Sequence, residues 1–159
     1  MLILAADTST PFLTVALCKD DTILAEKTEL ANRQHAEKIL LWVDSILSEN
    51  KVALDDIDLF AVSIGPGSFT GLRVGVSAWK GLAAGINKPI LGVPTLDGLA
   101  AQKESESGTL CTMLDAKMDE VYAAVYTFES GERHILHAAT VNSIDAIIAS
   151  CPADTTFIG

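Results

Sequence analysis

Residues 58–86, DLFAVSIGPGSFTGLRVGVSAWKGLAAGI, contain the stretch that decides the fold of this chain. The stretch begins with an apolar run, passes through the turn-forming residues GPGSFTG, and continues with apolar residues at helical spacing. This pattern predicts a buried strand from Asp58 to Ile64, a glycine-rich turn, and a helix from Thr70 to Ile86. A strand, a glycine loop and a helix in this order are typical of α/β folds, in which such loops often bind phosphate.

The glycine-rich turn lacks the spacing of the common phosphate-binding motifs. A P-loop needs a lysine after its second glycine, whereas Gly65 leads here to Thr70 and then to Gly71. The dinucleotide-binding pattern fails as well, because Thr70 stands where its third glycine belongs. The free N–H groups at the helix start could still attract an anion, and Ser68 or Thr70 could cap the helix through its hydroxyl. A structural turn with a helix cap is therefore favoured over a phosphate site.

The predicted elements form a pattern that occurs twice along the chain. The first copy, residues 1–104, has the order βββαβαβα, and the second copy, residues 109–159, has the order βββαβ. The segment Ser105–Gly108 between them is the predicted hinge. We therefore predict a duplicated α/β unit whose second lobe lacks its last helices, so that the chain is shorter than the natural gene product.

The first long helix, predicted over Arg33–Glu49 with Asn32 as its N-cap, has an apolar face that we expect to lie on the core. Leu41 and Trp42 lie off this face, where solvent would otherwise be. His35 is expected on the surface at the helix start. Six residues form the predicted core face at helical spacing: Ala36, Ile39, Leu40, Val43, Ile46 and Leu47.

The second long helix has two faces of different character. Gly81 and Gly85 inside a helix each cost about 1 kcal/mol relative to alanine, so a reason for them is expected. A smooth face lets another helix approach closely, and that neighbour is either the Arg33–Glu49 helix or another chain. Leu41 and Trp42 favour a protein–protein interface. The predicted core face carries Leu72, Val76, Trp79, Ala83 and Ile86. The opposite, small face carries Thr70, Val74, Ser77, Ala78, Gly81 and Gly85.

Composition argues against several classes of function. The chain has 159 residues, of which 49% are hydrophobic, and a formal net charge of -10 at pH 7. Because no run of Lys and Arg offsets this charge, direct and tight nucleic-acid binding is not expected. Cys18, Cys111 and Cys151 are far apart and odd in number, which argues against a disulfide framework and fits a reducing cytoplasm. No segment approaches the roughly 18 apolar residues of a membrane span.

The residues that could carry chemistry do not form a hydrolase motif. The zinc-protease pattern HExxH and the nucleophile pattern GxSxG are both absent from the sequence. His134 and His137 lie three apart in a strand-like run, so we expect their side chains on opposite faces and no joint metal site. Asp7 and Asp115 each end the first strand of one copy.

Five segments together resemble the TsaB (YeaZ) family of the bacterial threonylcarbamoyladenosine tRNA-modification system. They are DTST after the first strand, NRQHAEKILLWVDSIL, SIGPGSFTGLRVGVSAWKGLA, PILGVPTLDGLA and LDAKMDEVYAAVY. The resemblance covers nearly the whole chain and implies an actin-like, Hsp70-like (ASKHA) fold of two RNase H-like lobes. Members of that family usually run longer, which supports the predicted truncation of the second lobe.

The resemblance implies a non-catalytic partner rather than an enzyme. The catalytic TsaD-type relatives carry an HxxxH metal motif, and its two histidines correspond to Thr95 and Leu99 of this chain. Neither residue can ligate a metal as an imidazole does. The implied role is a dimerising scaffold that binds a TsaD-type catalytic subunit and a TsaE-type ATPase, and itself when alone. The implied interface consists of Leu41, Trp42, Thr70, Val74, Ser77, Ala78, Gly81 and Gly85.

A remnant of a nucleotide site is also implied, because kinases of this fold place acids at the ends of these strands. Pro11 and Phe12 stand where glycines usually approach the nucleotide, so no cofactor is expected to be required, and weak ATP or ADP binding is left to the complex. Two alternatives remain: an ATP-dependent kinase or ATPase of the same fold, and a glycoprotease-like metallopeptidase. The candidate remnant consists of Asp7, Gly65, Gly67, Ser68 and Asp115.

Overall fold

The computed structural model describes residues 1–31, 34–103, 107–129 and 131–159. No helix in these ranges is long and apolar enough to span a membrane. The order of strands and helices is the predicted one, so the sequence pattern is confirmed at this level. The elements are β1 (Leu2–Asp7), β2 (Phe12–Lys19), β3 (Thr22–Leu30), α1 (His35–Glu49), β4 (Leu59–Gly65), α2 (Phe69–Gly85), β5 (Ile90–Pro94), α3 (Thr95–Ala101), β6 (Gly108–Lys117), β7 (Glu120–Glu129), β8 (Glu132–Ser143), α4 (Ile144–Ser150) and β9 (Thr156–Ile158).

The chain divides into two compact units, Met1–Val93 and Pro94–Gly159. In this division α3 belongs to the second unit, where it packs on β6 and β7, whereas the sequence predicted it for the first lobe. Part of the predicted hinge, Ser105–Gly108, lies outside the described residues. The lobe limits 1–104 and 109–159 therefore stay a prediction.

The first unit is a five-stranded sheet in the order β3-β2-β1-β4-β5. The three first strands form an antiparallel meander, and β4 pairs parallel with β1, which requires a crossover connection that α1 supplies. Side chains alternate between the two faces of β2, so Leu13, Val15 and Leu17 are fully buried on one face. The glycine-rich turn follows β4 and leads directly into α2.

The core of the first unit is centred on α2. Trp79 is fully buried, packs edge-to-face against Phe60 of β4 and donates its indole N–H to the carbonyl of Leu4 at 3.0 Å. Ala83 is buried on the same face, and Val76 and Ile86 pack against this core. The predicted core face of this helix is thus confirmed at these positions, and Leu72 is half-buried.

The orientation of α1 corrects part of the prediction. Asn32 and Arg33 lie outside the described residues, and the described helix begins at His35. Ile39, Val43, Ile46 and Leu47 are buried as predicted, but Ala36 and Leu40 are exposed. His35 is buried instead, against the expectation of a surface position. Its ring Nε2 lies 3.1 Å from the carbonyl oxygen of Thr10 and 3.3 Å from that of Phe12, so it must carry the proton and donate.

The second unit repeats the topology of the first. Its sheet has the order β8-β7-β6-β9, with two antiparallel pairings followed by a parallel pairing of β6 with β9. The helix α4 supplies the crossover, as α1 does in the first unit. Ser143 caps α4 by accepting from the N–H of Ala146. The duplicated α/β pattern is therefore confirmed for the described strands.

A β-bulge in β8 overturns the expected placement of two histidines. His134 pairs with Thr127 and His137 pairs with Val125, two residues of β7 that share a face. The register shifts between these pairs, because one extra residue of β8 is accommodated there. His134 and His137 therefore lie on the same face of the sheet, not on opposite faces, and both are exposed.

Candidate functional site

The turn that follows β1 packs directly against the first half of α2. A Cβ atom added to Gly71 would overlap the carbonyl oxygen of Thr8, and one added to Gly75 would overlap the Thr8 hydroxyl. The same hydroxyl donates a hydrogen bond to the carbonyl of Gly71 at 2.8 Å. Thr8 is fully buried, so this contact is a packed part of the first unit. The two glycines are thus required by the close approach of the turn to the helix.

Asp7 holds this turn in place from the end of β1. Its Oδ1 accepts from the N–H of Ser9 at 2.7 Å and from the hydroxyl of Ser63 at 2.6 Å. Ser63 belongs to β4, so the carboxylate joins the turn to the neighbouring strand. The structure therefore shows a fixed structural role for one oxygen of the acid that the sequence assigned to a nucleotide-site remnant.

The glycine-rich loop closes on the same turn rather than standing open. Gly65 and Gly67 have φ values of 109° and 151°, which favour glycine, and a Cβ at Gly67 would overlap the backbone of Ser9. The N–H of Ser68 donates to the carbonyl of Ser9 at 2.6 Å. The Ser68 hydroxyl accepts from the N–H of Gly71 at 3.2 Å, which settles the choice between the two predicted caps. The loop thus shapes the start of α2, as the preferred interpretation of the sequence expected.

Asp115, the corresponding acid of the second unit, has different surroundings. It is exposed near the end of β6, where it forms an ion pair with Lys117 and also accepts the Lys117 N–H at 2.7 Å. These contacts, the side-chain hydrogen bond first, lower the pKa of Asp115. Asp7 and Asp115 belong to different units, and each carboxylate binds residues of its own unit.

The outer face of α2 is open to solvent. No described atom lies within 4 Å of a Cβ placed at Gly81 or Gly85, so α1 does not cover these positions. Thr70, Ser77 and both glycines are exposed. Nearer the start of the helix, four residues line an open groove of about 370 Å³: Thr70, Arg73, Val74 and Ser77. Most of the predicted interface residues on α2 therefore lie on an accessible surface. We call this surface the outer α2 face, and it consists of Thr70, Arg73, Val74, Ser77, Gly81 and Gly85.

Large apolar side chains are exposed on both α1 and α2. Leu41 of α1 is 68% exposed and Phe69 of α2 is 74% exposed, with the Arg73 guanidinium 5.4 Å from the Phe69 ring. Trp42 and Ala78 differ from the expectation, because both are half-buried and pack against the core of the first unit. The sequence analysis did not include Phe69 in the interface, although its position beside the small face of α2 could have indicated it.

Thr95 and Leu99, which the resemblance sets against the metal-binding histidines of TsaD-type relatives, lie on α3. Thr95 is buried and its hydroxyl has no hydrogen-bond partner among the described residues. Leu99, one turn later, packs against the apolar cluster between α3 and the sheet of the second unit. No group of three or more His, Cys, Asp or Glu side chains that could hold a metal ion occurs within the described ranges.

A hydrogen-bonded cluster lies between α3 and the sheet of the second unit. The Tyr126 hydroxyl donates to Asp97 Oδ1 at 2.6 Å, and Arg133 donates to the Asp97 carbonyl oxygen at 2.9 Å. The Arg133 guanidinium also lies 5.4 Å from the Tyr126 ring centroid. Burial, reinforced by Asp97, raises the pKa of Tyr126. No local sequence pattern indicates this cluster, because its members lie far apart along the chain.

The chain matches one family and several curated proteins over most of its length. Residues 23–154 match the family described as "TsaD: tRNA N6-adenosine threonylcarbamoyltransferase". The tRNA threonylcarbamoyladenosine biosynthesis protein TsaB of Escherichia coli (strain K12) is 39% identical over 91% of this chain and 62% of that protein. The protein of the same name from Bacillus subtilis (strain 168) is 36% identical over 82% of this chain and 57% of that protein. The chain thus spans about three fifths of the length of these relatives.

Solved structures agree with these matches. YeaZ from Pseudomonas aeruginosa has a TM-score of 0.79 at 36% identity, over 88% of this chain and 66% of that chain. The activator of the 2-hydroxyisocaproyl-CoA dehydratase from Clostridium difficile, with bound ADPNP, has a TM-score of 0.52 at 14% identity, over 91% of this chain and 46% of that chain. At that identity the likeness shows a shared fold alone. The α/β fold of the chain is ASKHA-like. The chain belongs to the TsaB (YeaZ) family, within the wider family that carries the name TsaD.

Proposed function

We propose that this chain is a non-catalytic partner of a TsaD-type subunit in tRNA N6-threonylcarbamoyladenosine biosynthesis. The observation that carries the non-catalytic part is α3, which has Thr95 and Leu99 where the resemblance to TsaD-type proteins implies two metal-binding histidines. Leu99 has no lone pair to offer and packs against the apolar cluster of the second unit, and Thr95 is buried. The names of the TsaB relatives support the pathway.

The outer α2 face, together with exposed Leu41 of α1, is the proposed docking surface for the TsaD-type subunit and for a second copy of the chain. Small side chains at Gly81 and Gly85 leave room for the backbone of an approaching helix. Phe69 and Leu41 supply apolar area that solvent now covers, as is typical of interaction sites. Trp42 and Ala78 would support this surface from the core side.

The remaining partners follow from the charge of the chain and from its relatives. A net charge of -10 disfavours contact with the tRNA backbone, so other subunits would hold the tRNA. We propose a TsaE-type ATPase as a further partner and weak ATP or ADP binding, if any, at the level of the complex. A cytoplasmic location fits three cysteines that form no disulfide.

Replacement of Gly81 by leucine tests the docking surface. A side chain at this position projects into open space, so the variant is expected to fold, and it would hold a partner helix away. We expect Gly81→Leu to weaken both self-association and binding to a TsaD-type subunit by about tenfold or more. Multi-angle light scattering measures the first equilibrium and surface plasmon resonance the second.

Ala149→Leu is the matched control, because it places the same side chain at an exposed small residue of α4, outside the proposed surface. The control should bind like the unchanged chain. An intact dimer and unchanged partner affinity in Gly81→Leu would show that the outer α2 face is not the interface.

The non-catalytic assignment is tested by reconstitution. The threonylcarbamoyl transfer rate is measured for a TsaD-type subunit and a TsaE-type ATPase with and without this chain, and we expect transfer to require the chain. The chain alone should neither transfer the group nor turn over Mg-ATP. Stoichiometric Mg-ATP binding with turnover by the chain alone would contradict the assignment and favour a kinase or ATPase.

A further inference from the structure

Two cysteines of the second unit belong to one apolar cluster, in which Ile147 of α4 is also buried. Cys111 lies on β6 and pairs across the sheet with Val125 of β7 and Phe157 of β9. Cys151 directly follows α4, and its backbone N–H donates to the carbonyl of Ile148 at 3.2 Å. Both thiols are free. The crossover helix α4 thus ends at the apolar cluster that contains Cys111.

The two side chains belong to one apolar cluster but differ in access. Cys111 is fully buried in the cluster, with Val125 and Ile147 among its buried members, and Cys151 packs against it from the edge. Cys151 is partly exposed. Cys151 is thus the thiol that a reagent can reach from solvent, whereas the Cys111 thiol is not accessible to solvent.

The pKa of Cys111 agrees with the order that the difference in access suggests. Burial is the main cause that raises the pKa of Cys111 to about 12, and the neighbouring Cys151 adds to it. Since the thiolate is the nucleophile, Cys111 is protected from direct oxidation near neutral pH.

We propose that Cys111 and Cys151 form a redox-responsive pair that a small-molecule disulfide converts into an intramolecular disulfide. In the first step the Cys151 thiolate attacks one sulfur of oxidised glutathione, forms a mixed disulfide and releases one glutathione thiolate. In the second step the Cys111 sulfur bonds to the Cys151 sulfur, and its proton leaves with the second glutathione as a thiol. Two protein thiols are oxidised and one glutathione disulfide is reduced to two thiols.

The bond would fasten the C-terminal end of α4 to β6. The two sulfurs need to close to about 2.05 Å, and the adjustment falls on the residue after the helix, since Cys111 is held by strands on both sides. In a reducing compartment the same exchange runs backwards, so the bond would be transient there.

Peptide mapping of the full chain tests the pair. The chain is incubated with oxidised glutathione, remaining thiols are blocked with N-ethylmaleimide, and peptides are analysed by mass spectrometry without reduction. We expect a peptide cross-linked between Cys111 and Cys151, and no cross-link that contains Cys18. This arm uses the unchanged chain and does not depend on the folding of any variant.

Three variants separate the two steps. Cys111→Ala should stop at the mixed disulfide on Cys151, Cys151→Ala should leave Cys111 as a free thiol, and Cys18→Ala should cross-link like the unchanged chain. A stable glutathione adduct on Cys151 of the unchanged chain without a cross-link would overturn the proposal. Modification of Cys111 in Cys151→Ala at the rate seen in the unchanged chain would overturn the proposed order.

Discussion

The turns after β1 and after β6 occupy the same topological place in the two units but are built differently. In the first unit Asp7 binds Ser9 and Ser63, and the turn is buried against α2. In the second unit Asp115 binds its near neighbour Lys117 on the surface. The β6–β7 connection instead turns through three successive residues with positive φ: Lys117, Met118 and Asp119. A shared strand order therefore does not give a shared site, because the site is made by what packs against the turn.

The largest effect is expected where the turn of the first unit contacts α2. Gly71→Ala places a methyl group on the backbone carbonyl of Thr8, and backbone cannot yield as a flexible side chain does. Although alanine favours the helix, we expect a net loss of about 3 kcal/mol in the free energy of unfolding, since overpacking of a close contact outweighs propensity. Urea denaturation followed by circular dichroism measures the loss.

Gly81→Ala on the same helix is the matched control. No described atom lies near its Cβ position and the residue is exposed, so propensity alone acts there. This variant should be more stable than the unchanged chain by up to about 1 kcal/mol. Equal effects of the two substitutions would mean that the close approach of Thr8 to α2 does not determine the need for glycine.

Alanine substitutions of Asp7 and Asp115 allow a direct comparison of the two turns. Asp7→Ala removes the acceptor of Ser9 and Ser63 in a half-buried place, and we expect it to destabilise the chain by about 2 kcal/mol. Asp115→Ala removes an exposed ion pair and should leave the denaturation midpoint unchanged. A larger effect at Asp115 than at Asp7 would show that the second turn, not the first, is the organised one.

Local patterns were sufficient to predict the strands, the helices and the duplicated topology. The helical spacing of the predicted core face of α2 is a property of neighbouring residues, and it was confirmed at Trp79 and Ala83. The cap of α2 was narrowed to two hydroxyls for the same reason, and Ser68 proved to be the one. The sequence left open whether α1 or another chain covers the small face of α2, and the structure shows that α1 does not cover Gly81 and Gly85.

Contacts between distant residues account for what the sequence did not predict. The helical spacing of α1 did not specify its rotation, and His35 is turned inward by carbonyls of the β1–β2 turn. Gly71 and Gly75 were not singled out, because their partner Thr8 precedes them by more than sixty residues. One extra residue in β8 moves His137 to the face of His134, and a simple alternation rule cannot anticipate such a bulge.

The smallest expected effect concerns the hydroxyl of Tyr126 in the second unit. Tyr126→Phe leaves the ring and its contact with Arg133 in place but removes the hydrogen bond to Asp97, so a loss of about 1 kcal/mol is expected near neutral pH. Burial first, and then Asp97, raise the pKa of this tyrosine above its unfolded value. Its contribution is therefore complete below about pH 10 and is lost as the pH rises further.

Urea midpoints measured at about pH 8 and about pH 11 follow this loss, because an unfolded tyrosine ionises between these values. The unchanged chain should lose more stability over the interval than Tyr126→Phe does. Some alkaline loss should remain in the variant, since the raised pKa of Cys111 acts in the same direction. Identical alkaline losses in the two proteins would mean that the hydroxyl ionises as freely in the folded chain as in the unfolded one. The difference between the two units would then be tested only by the substitutions at Asp7, Asp115 and the glycines of α2.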